Sequence, residues 1–223
     1  MTKKLFLASW FAGSASLLPA FAGQNLTGKK VIFIPTAGLY EMPEEYREGL
    51  DFINNADREA LKNLGFAVED LDISSEPAEA IEKIISGADA LFVCGGNSFF
   101  LMQELKRKKA DVMIARHIRQ GKLYMGTSAG SVIMQKDIID DGIDDPVFGS
   151  ALNGDFSGLR FIDFYVYVHY GHHYFGNDDE CLDKYYANLN HIKIADNQAV
   201  TVDGEKIEVV TAPESEIPEF PMS

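Results

Sequence analysis

Short runs in which every residue is apolar recur along the first two thirds of the chain, separated by stretches of helical spacing. Val31–Pro35 (VIFIP) and Ala90–Cys94 (ALFVC) show no polar alternation, the mark of strands buried on both faces. Between them, residues 43–64 carry a helical pattern closed by Gly65, Phe66–Ile73 reads as strand, and Pro77–Ser86 reads as a helix stopped by Gly87. After Gly95-Gly96-Asn97, Ser98 is placed to cap a helix running through Leu105. A second helix, Ala110–Gln120, stops at Gly121, and the strand Leu123–Gly126 runs straight into Thr127-Ser128-Ala129-Gly130. Strand–helix–strand units of this length predict an α/β fold, a mostly parallel sheet with helices on both faces. The last third changes character. Residues 137–160 are rich in Gly and Asp and read as a long loop. Phe161–Tyr170 alternates like a strand and Asp178–Asn190 looks helical. Ile192–Ile194, Ala199–Val202 and Lys206–Val210 are short strands, the last two joined as a hairpin through Asp203-Gly204-Glu205. No linker divides the chain, so residues 1–223 are expected to form one domain with a frayed tail from about residue 211.

The N-terminus admits two readings. Lys3 and Lys4, an apolar stretch and Ala20-Phe21-Ala22 imitate a secretory signal, but Gly13, Ser14, Ser16 and Pro19 interrupt the stretch. A first strand, Lys4–Ala8, is the preferred reading, and with it a cytoplasmic protein. No apolar run reaches the roughly 18–20 residues of a membrane span. The net charge of −14 argues against nucleic acid or an anionic membrane as partner, since both require basic patches. The two cysteines, Cys94 and Cys181, match no zinc pattern and are read as reduced thiols.

Gly126-Thr127-Ser128-Ala129-Gly130 is a G-x-S-x-G pattern at a strand-to-helix turn, the setting of a nucleophile elbow. So tight a turn demands small flanking residues and lifts the serine hydroxyl above the sheet edge. It also aims the N–H of Ala129 at the place where an oxyanion would develop. Gly96, with Gly95 as an alternative, leaves the preceding buried strand at the same edge and is the candidate second donor. Of five histidines, His117 lies mid-helix among charges and reads as a surface residue, and His191 lies at a helix end. His169, at the end of an alternating strand, is the preferred base, with His172 and His173 as fallbacks. The group His169, His172, His173, Asp178 and Asp179 lacks the helical spacing of metal-binding pairs, so no metal is expected.

These segments together resemble the peptidase E family: GTSAG at 126–130, FVCGGNSFFL at 92–101, FIPTAG at 33–38 and DFYVYVHYGHH at 163–173. The likeness spans about residues 3–210 in matching order. It implies a three-layer, class I glutamine-amidotransferase-like (flavodoxin-like) sheet and a serine peptidase with no metal or organic cofactor. Ser128 falls on the family nucleophile, His169 on its histidine (after Val168 where the family usually has Pro), and Gly96 and Ala129 on the oxyanion donors. For the acid, the resemblance points to Asp144, just ahead of Asp145-Pro146. The alternative is Asp196, in IADNQAV.

One departure bears on specificity. Aspartyl dipeptidases of the family bind the substrate's Asp side chain with an arginine early in the helix after the histidine. Here that stretch is Asn177-Asp178-Asp179-Glu180-Cys181, with no cation before Lys184. Like charges repel in a closed site, so an Asp-X preference is doubtful. Asp178 and Asp179, with Asn97 beside the glycine pair, are candidate contacts for a small peptide and its free amino group. The rival readings are an esterase-like hydrolase on the same elbow and a non-catalytic binding protein on the same scaffold. Either a monomer or a homodimer would suit a chain of this size.

Overall fold

The computed structural model describes residues 3–41, 44–139, 154–171 and 179–219. Its strands are β1 (Lys4–Ala8), β2 (Lys30–Ile34), β3 (Ala67–Asp70), β4 (Ala90–Val93), β5 (Leu123–Thr127), β6 (Tyr165–Tyr167), β7 (His191–Lys193), β8 (Gln198–Asp203) and β9 (Lys206–Thr211). The helices are α1 (Leu18–Ala22), α2 (Glu44–Asn63), α3 (Ala78–Ser86), α4 (Ser98–Lys108), α5 (Ala110–Arg119), α6 (Ala129–Val132) and α7 (Asp179–Tyr186). Among the described residues the main sheet runs β3–β2–β4–β5–β1–β8–β9. The first five are mutually parallel, β8 runs antiparallel to β1 beside it, and β9 pairs antiparallel with β8 at the edge. The chain crosses from β2 to β3 in one direction and from β3 to β4 in the other. Right-handed crossovers therefore put α2 on one face and α3 to α5 on the opposite face. There α3 and α4 both pack against α5.

The segment that imitates a signal sequence begins with β1, hydrogen-bonded between β5 and β8, and ends in α1. Its residues Leu5 to Ala8 are wholly buried, and β4 is buried along its entire length, as its unbroken apolar sequence requires. No helix among the described residues is long and apolar enough to cross a membrane.

Pairing register decides what meets at the sheet's edge. Ala8 pairs with Thr127 in parallel, so Ser9 and Ser128 leave the sheet side by side. Val93 pairs with Gly126, which brings the glycine pair after β4 to the same place. Because β8 is antiparallel to β1, with Ala8 opposite Ala199, the residues before β8 also reach that edge. All of this lies at the carboxyl ends of the parallel strands, where open α/β sheets bind their ligands.

Four expectations are corrected. The strand over Phe161–Tyr170 shortens to the three residues of β6, which pairs in parallel with β7 in a separate two-stranded sheet. The cap of α4 is Asn97, whose Oδ1 accepts from Phe100 N at 2.8 Å, and Ser98 is the first helical residue. The chain does not fray directly after β9: Ala212 is buried and bonded to Asn197 through both backbone and side chain. His117 is 2% exposed, its Nε2 lying 3.1 Å from Leu123 O. Its neighbours in sequence are charged, but the face of α5 it occupies points into the sheet.

Burial pushes the His117 imidazole down to about 4 from an ordinary value of 6.5. The native state then refuses a proton that the unfolded chain accepts. Stability is full above about pH 6.5 and falls as pH drops from there toward 4, by about 3 kcal/mol from this group. Urea unfolding of the wild type and of His117→Gln at pH 7 and pH 4.5 should show a smaller loss in the variant. Equal losses would show that His117 is not the group responsible.

Candidate active site

Ser128 occupies the one-residue joint between β5 and α6, with φ 48° and ψ −115°, a region that residues with side chains seldom adopt. Its neighbours make the joint possible. A Cβ on Gly126 would stand 2.4 Å from Gly130 O, and one on Gly130 would stand 2.1 Å from Val93 O. The Ser128 N–H donates to Ala8 O and Ser9 O, and the Ser131 hydroxyl donates to Ala8 O and Gly126 O. The strained backbone is thus held by the end of β1. Ala129 opens α6, so its own N–H has no intrahelical acceptor.

The glycine pair lies against this joint. A Cβ on Gly95 would come within 3.2 Å of Ser128 Cβ. Gly96 has φ +136° and would drive a Cβ to 2.2 Å from Ala37 O, so only glycine fits there. Asn97 follows with its side-chain oxygen committed to capping α4.

His169 and Asp196 arrive from the two-stranded sheet. Tyr167 pairs with Lys193, so the residues after β6 and after β7 emerge together, and Tyr170 N donates to Ile194 O at 3.2 Å. His169 Nε2 lies 2.9 Å from Ser128 Oγ, and its Nδ1 lies 2.7 Å from Asp196 Oδ1. Both side chains are buried, His169 7% and Asp196 2% exposed. An ionised carboxylate only accepts, which assigns the ring proton to Nδ1 and leaves Nε2 to accept from the serine hydroxyl. A hydroxyl, an imidazole and a carboxylate in this order can pass a proton away from the serine oxygen as it attacks a carbonyl.

Of the sequence candidates, Ser128, His169, Asp196, Gly95, Gly96 and Ala129 are therefore brought to one place. Asp196, the alternative, is the carboxylate on His169, and Asp144, the preferred choice, lies outside the described residues, as do Asp178, His172 and His173. Asp179 is the first residue of α7. Among the described residues no three His, Cys, Asp or Glu side chains cluster as a metal site would require.

Two groups behind the site had no signal in the sequence. Ser9 is wholly buried and touches both His169 and Asp196. Asp57, on α2, is also wholly buried, and its Oδ1 accepts from Ala12 N at 2.8 Å. Burial raises its carboxyl well above the usual range. The Ala12 amide and the Thr127 and Trp10 side chains oppose that rise, whereas the charge of Asp196 adds to it. Asp57 thus ties the loop after β1 to α2. Cys94 is a free, buried thiol pushed up to about 12 by desolvation, which makes it a poor nucleophile beside the serine.

Comparison with known proteins shows the family to which this chain belongs. The model of peptidase family S51 matches residues 9–210. An uncharacterised peptidase of Listeria monocytogenes is 36% identical over 206 residues, covering 92% of this chain and 97% of its own. One from Pasteurella multocida is 35% identical over 204 residues, covering 91% and 95%. Peptidase E of Salmonella paratyphi A is 32% identical over 114 residues, 51% of this chain and 45% of its own. A crystal structure of a Listeria monocytogenes protein provisionally named peptidase E superposes with TM-score 0.84 at 34% identity, over 96% of this chain and all of that one. A peptidase from an acI-B1 actinobacterium, at TM-score 0.66 and 19% identity, shares the fold.

Proposed function

Because this chain belongs to peptidase family S51 and is a peptidase, we propose that it hydrolyses small peptides with Ser128 as nucleophile, through an acyl-enzyme. The observation that carries the proposal is the hydrogen-bonded series Ser128–His169–Asp196, at 2.9 and 2.7 Å. Ser128 Oγ attacks the scissile carbonyl while His169 Nε2 takes its proton, and Asp196 stabilises the imidazolium that results. The N–H groups of Gly96 and Ala129 receive the developing oxyanion. His169 then hands its proton to the leaving amine. Water, deprotonated by the same histidine, releases the acyl group.

The substrate is a short peptide with a free amino group, recognised by acidic residues at the start of α7 rather than by a cation. Lys193, on β7, lies over the Tyr170 ring beside His169, but its ammonium is engaged by Asp183 Oδ1 at 2.5 Å. That pairing leaves it a weak attractor for an acidic side chain. The reaction as written needs no metal or organic cofactor, and the protein acts in the cytoplasm as a single peptidase domain.

The test is hydrolysis of a dipeptide panel (Asp-X, Arg-X, Lys-X and Ala-X) by the wild type and Ser128→Ala, with fluorophosphonate labelling of both. Cleavage and labelling that both vanish in the variant are expected, with Asp-X the poorest substrate. A clear Asp-X preference would overturn the specificity while keeping the mechanism. Turnover of p-nitrophenyl esters but of no peptide would favour an esterase. Absence of both turnover and labelling in the wild type would point to a binding protein.

A further inference from the structure

Ser9 interrupts an apolar run, LFLA before it and WF after it, at a position with no solvent exposure. A hydroxyl there is costly unless its hydrogen bonds are made, and alanine would fit the same space. The bonds it makes are specific. Ser9 Oγ accepts from the His169 backbone N–H at 2.7 Å and lies 2.7 Å from Asp196 Oδ1. A hydroxyl has one proton, and an ionised carboxylate can only accept, so that proton goes to Asp196. The 3.4 Å approach to His169 Nδ1 is then a near neighbour and not a second bond, because the Nδ1 proton is also directed at Asp196. The Ser9 carbonyl meanwhile accepts from Ser128 N–H at 3.0 Å. One residue at the end of β1 thus touches the serine, the histidine and the carboxylate, which lie 119, 160 and 187 residues further along the chain.

The need for such a tether is visible in the backbone. His169 has φ 57°, a left-handed conformation disfavoured for any residue with a Cβ, and the turn that follows contains Gly171. The N–H bond to Ser9 Oγ holds that conformation, and with it the direction of the imidazole. The bond from Ser9 Oγ to Asp196 holds the carboxylate oxygen that selects the histidine tautomer. Through its carbonyl, Ser9 also fixes the spacing between that pair and Ser128.

We propose that Ser9 is a positioning residue of the peptidase site, its hydroxyl locking His169 and Asp196 into the geometry in which Nδ1 bears the proton and Nε2 faces Ser128. The proposal rests on the serine-peptidase reading, since it assigns Ser9 a role toward the base and acid of that mechanism. It also makes a claim about the His169–Asp196 pair that can be read without turnover.

Two variants separate hydrogen bonding from packing. Ser9→Ala removes the hydroxyl and keeps the backbone contact with Ser128. Ser9→Cys fills the space but is a weak hydrogen-bond partner. Both are expected to remain folded by near-ultraviolet circular dichroism. On the best dipeptide of the panel, each should lose about tenfold or more in kcat with KM within about twofold, as an interaction that orients the base rather than the substrate requires. Proton NMR gives the independent reading. The wild type should show a downfield His169 Nδ1–H resonance, absent in His169→Gln, which in both Ser9 variants moves upfield or is lost to exchange. An unchanged resonance in folded Ser9→Ala would overturn the proposal, and so would wild-type kcat in that protein. A Ser9→Cys protein with wild-type kcat would show that filling the space suffices, which also overturns it. If the wild type neither cleaves peptides nor labels at Ser128, the serine-peptidase reading fails, while the resonance still decides whether Ser9 orients the pair.

Discussion

Asp196→Asn is expected to lower kcat by about four orders of magnitude while leaving the fold intact, because an amide in place of the carboxylate favours the wrong imidazole tautomer. With Asp196 ionised, Oδ1 accepts the Nδ1 proton of His169 at 2.7 Å and leaves Nε2 free to accept from Ser128 Oγ at 2.9 Å. Asparagine can offer its N–H₂ to Nδ1, which moves the ring proton to Nε2 and directs it at the serine oxygen. The serine then has no base. Steady-state kinetics on the best dipeptide, with Asp144→Asn assayed in parallel, decides between the two carboxylates. A loss below tenfold in Asp196→Asn with a large loss in Asp144→Asn would transfer the orienting role to Asp144. The unfolding midpoint should be nearly unchanged in Asp196→Asn, since the side chain keeps its size.

The second large effect falls on stability. Gly130→Ala would place a Cβ 2.1 Å from Val93 O and 3.1 Å from Val93 Cβ, so that α6 must shift away from β4. Neither neighbour is a flexible side-chain tip. One is the backbone of a fully buried central strand. Overpacking at such a point should cost about 3 kcal/mol or more and pull Ser128 out of register with His169. Urea unfolding gives the stability and fluorophosphonate labelling rate gives the site. Gly23→Ala is the control. Gly23 has φ +64° but open space around its Cβ position, so backbone strain alone is sampled, at about 1–2 kcal/mol with labelling unaffected. Comparable losses in the two variants would mean that the close approach of α6 to β4 is not what the elbow glycine provides.

These two positions divide sharply in how far the sequence reveals them. The elbow is a local object. Its strand is an apolar run, its turn has small residues at fixed spacing, and its serine is where the backbone must take a positive φ, so G-x-S-x-G after Leu123–Gly126 is legible within ten residues. Gly95 and Gly96 were legible for the same reason, as glycines leaving a buried strand, and His169 as the residue ending an alternating one. The acid was not. In the sequence Asp144 and Asp196 both read as loop carboxylates in a chain of net charge −14, and only the resemblance favoured Asp144. What brings Asp196 to His169 is the parallel pairing of Tyr165–Tyr167 with His191–Lys193, two three-residue strands whose partnership has no local signature. Ser9 was hidden in the same way. It reads as the tail of an apolar strand until the register with β5 and β8 shows what it faces. His117 was misjudged because charged neighbours in sequence say little about one position on a helix whose apolar face packs inward.

By itself, then, the sequence determined the mostly parallel α/β plan and singled out Ser128, Gly96, Ala129 and His169 as residues that meet at one place, because each depends on periodicity or on backbone conformations confined to a few residues. Only the tertiary structure decided which carboxylate meets the histidine, that a buried serine at the end of the first strand ties the two together, and that His117 lies inside. Those outcomes depend on strand order and register between segments as much as 187 residues apart, where side-chain identity at either end carries no record of its partner.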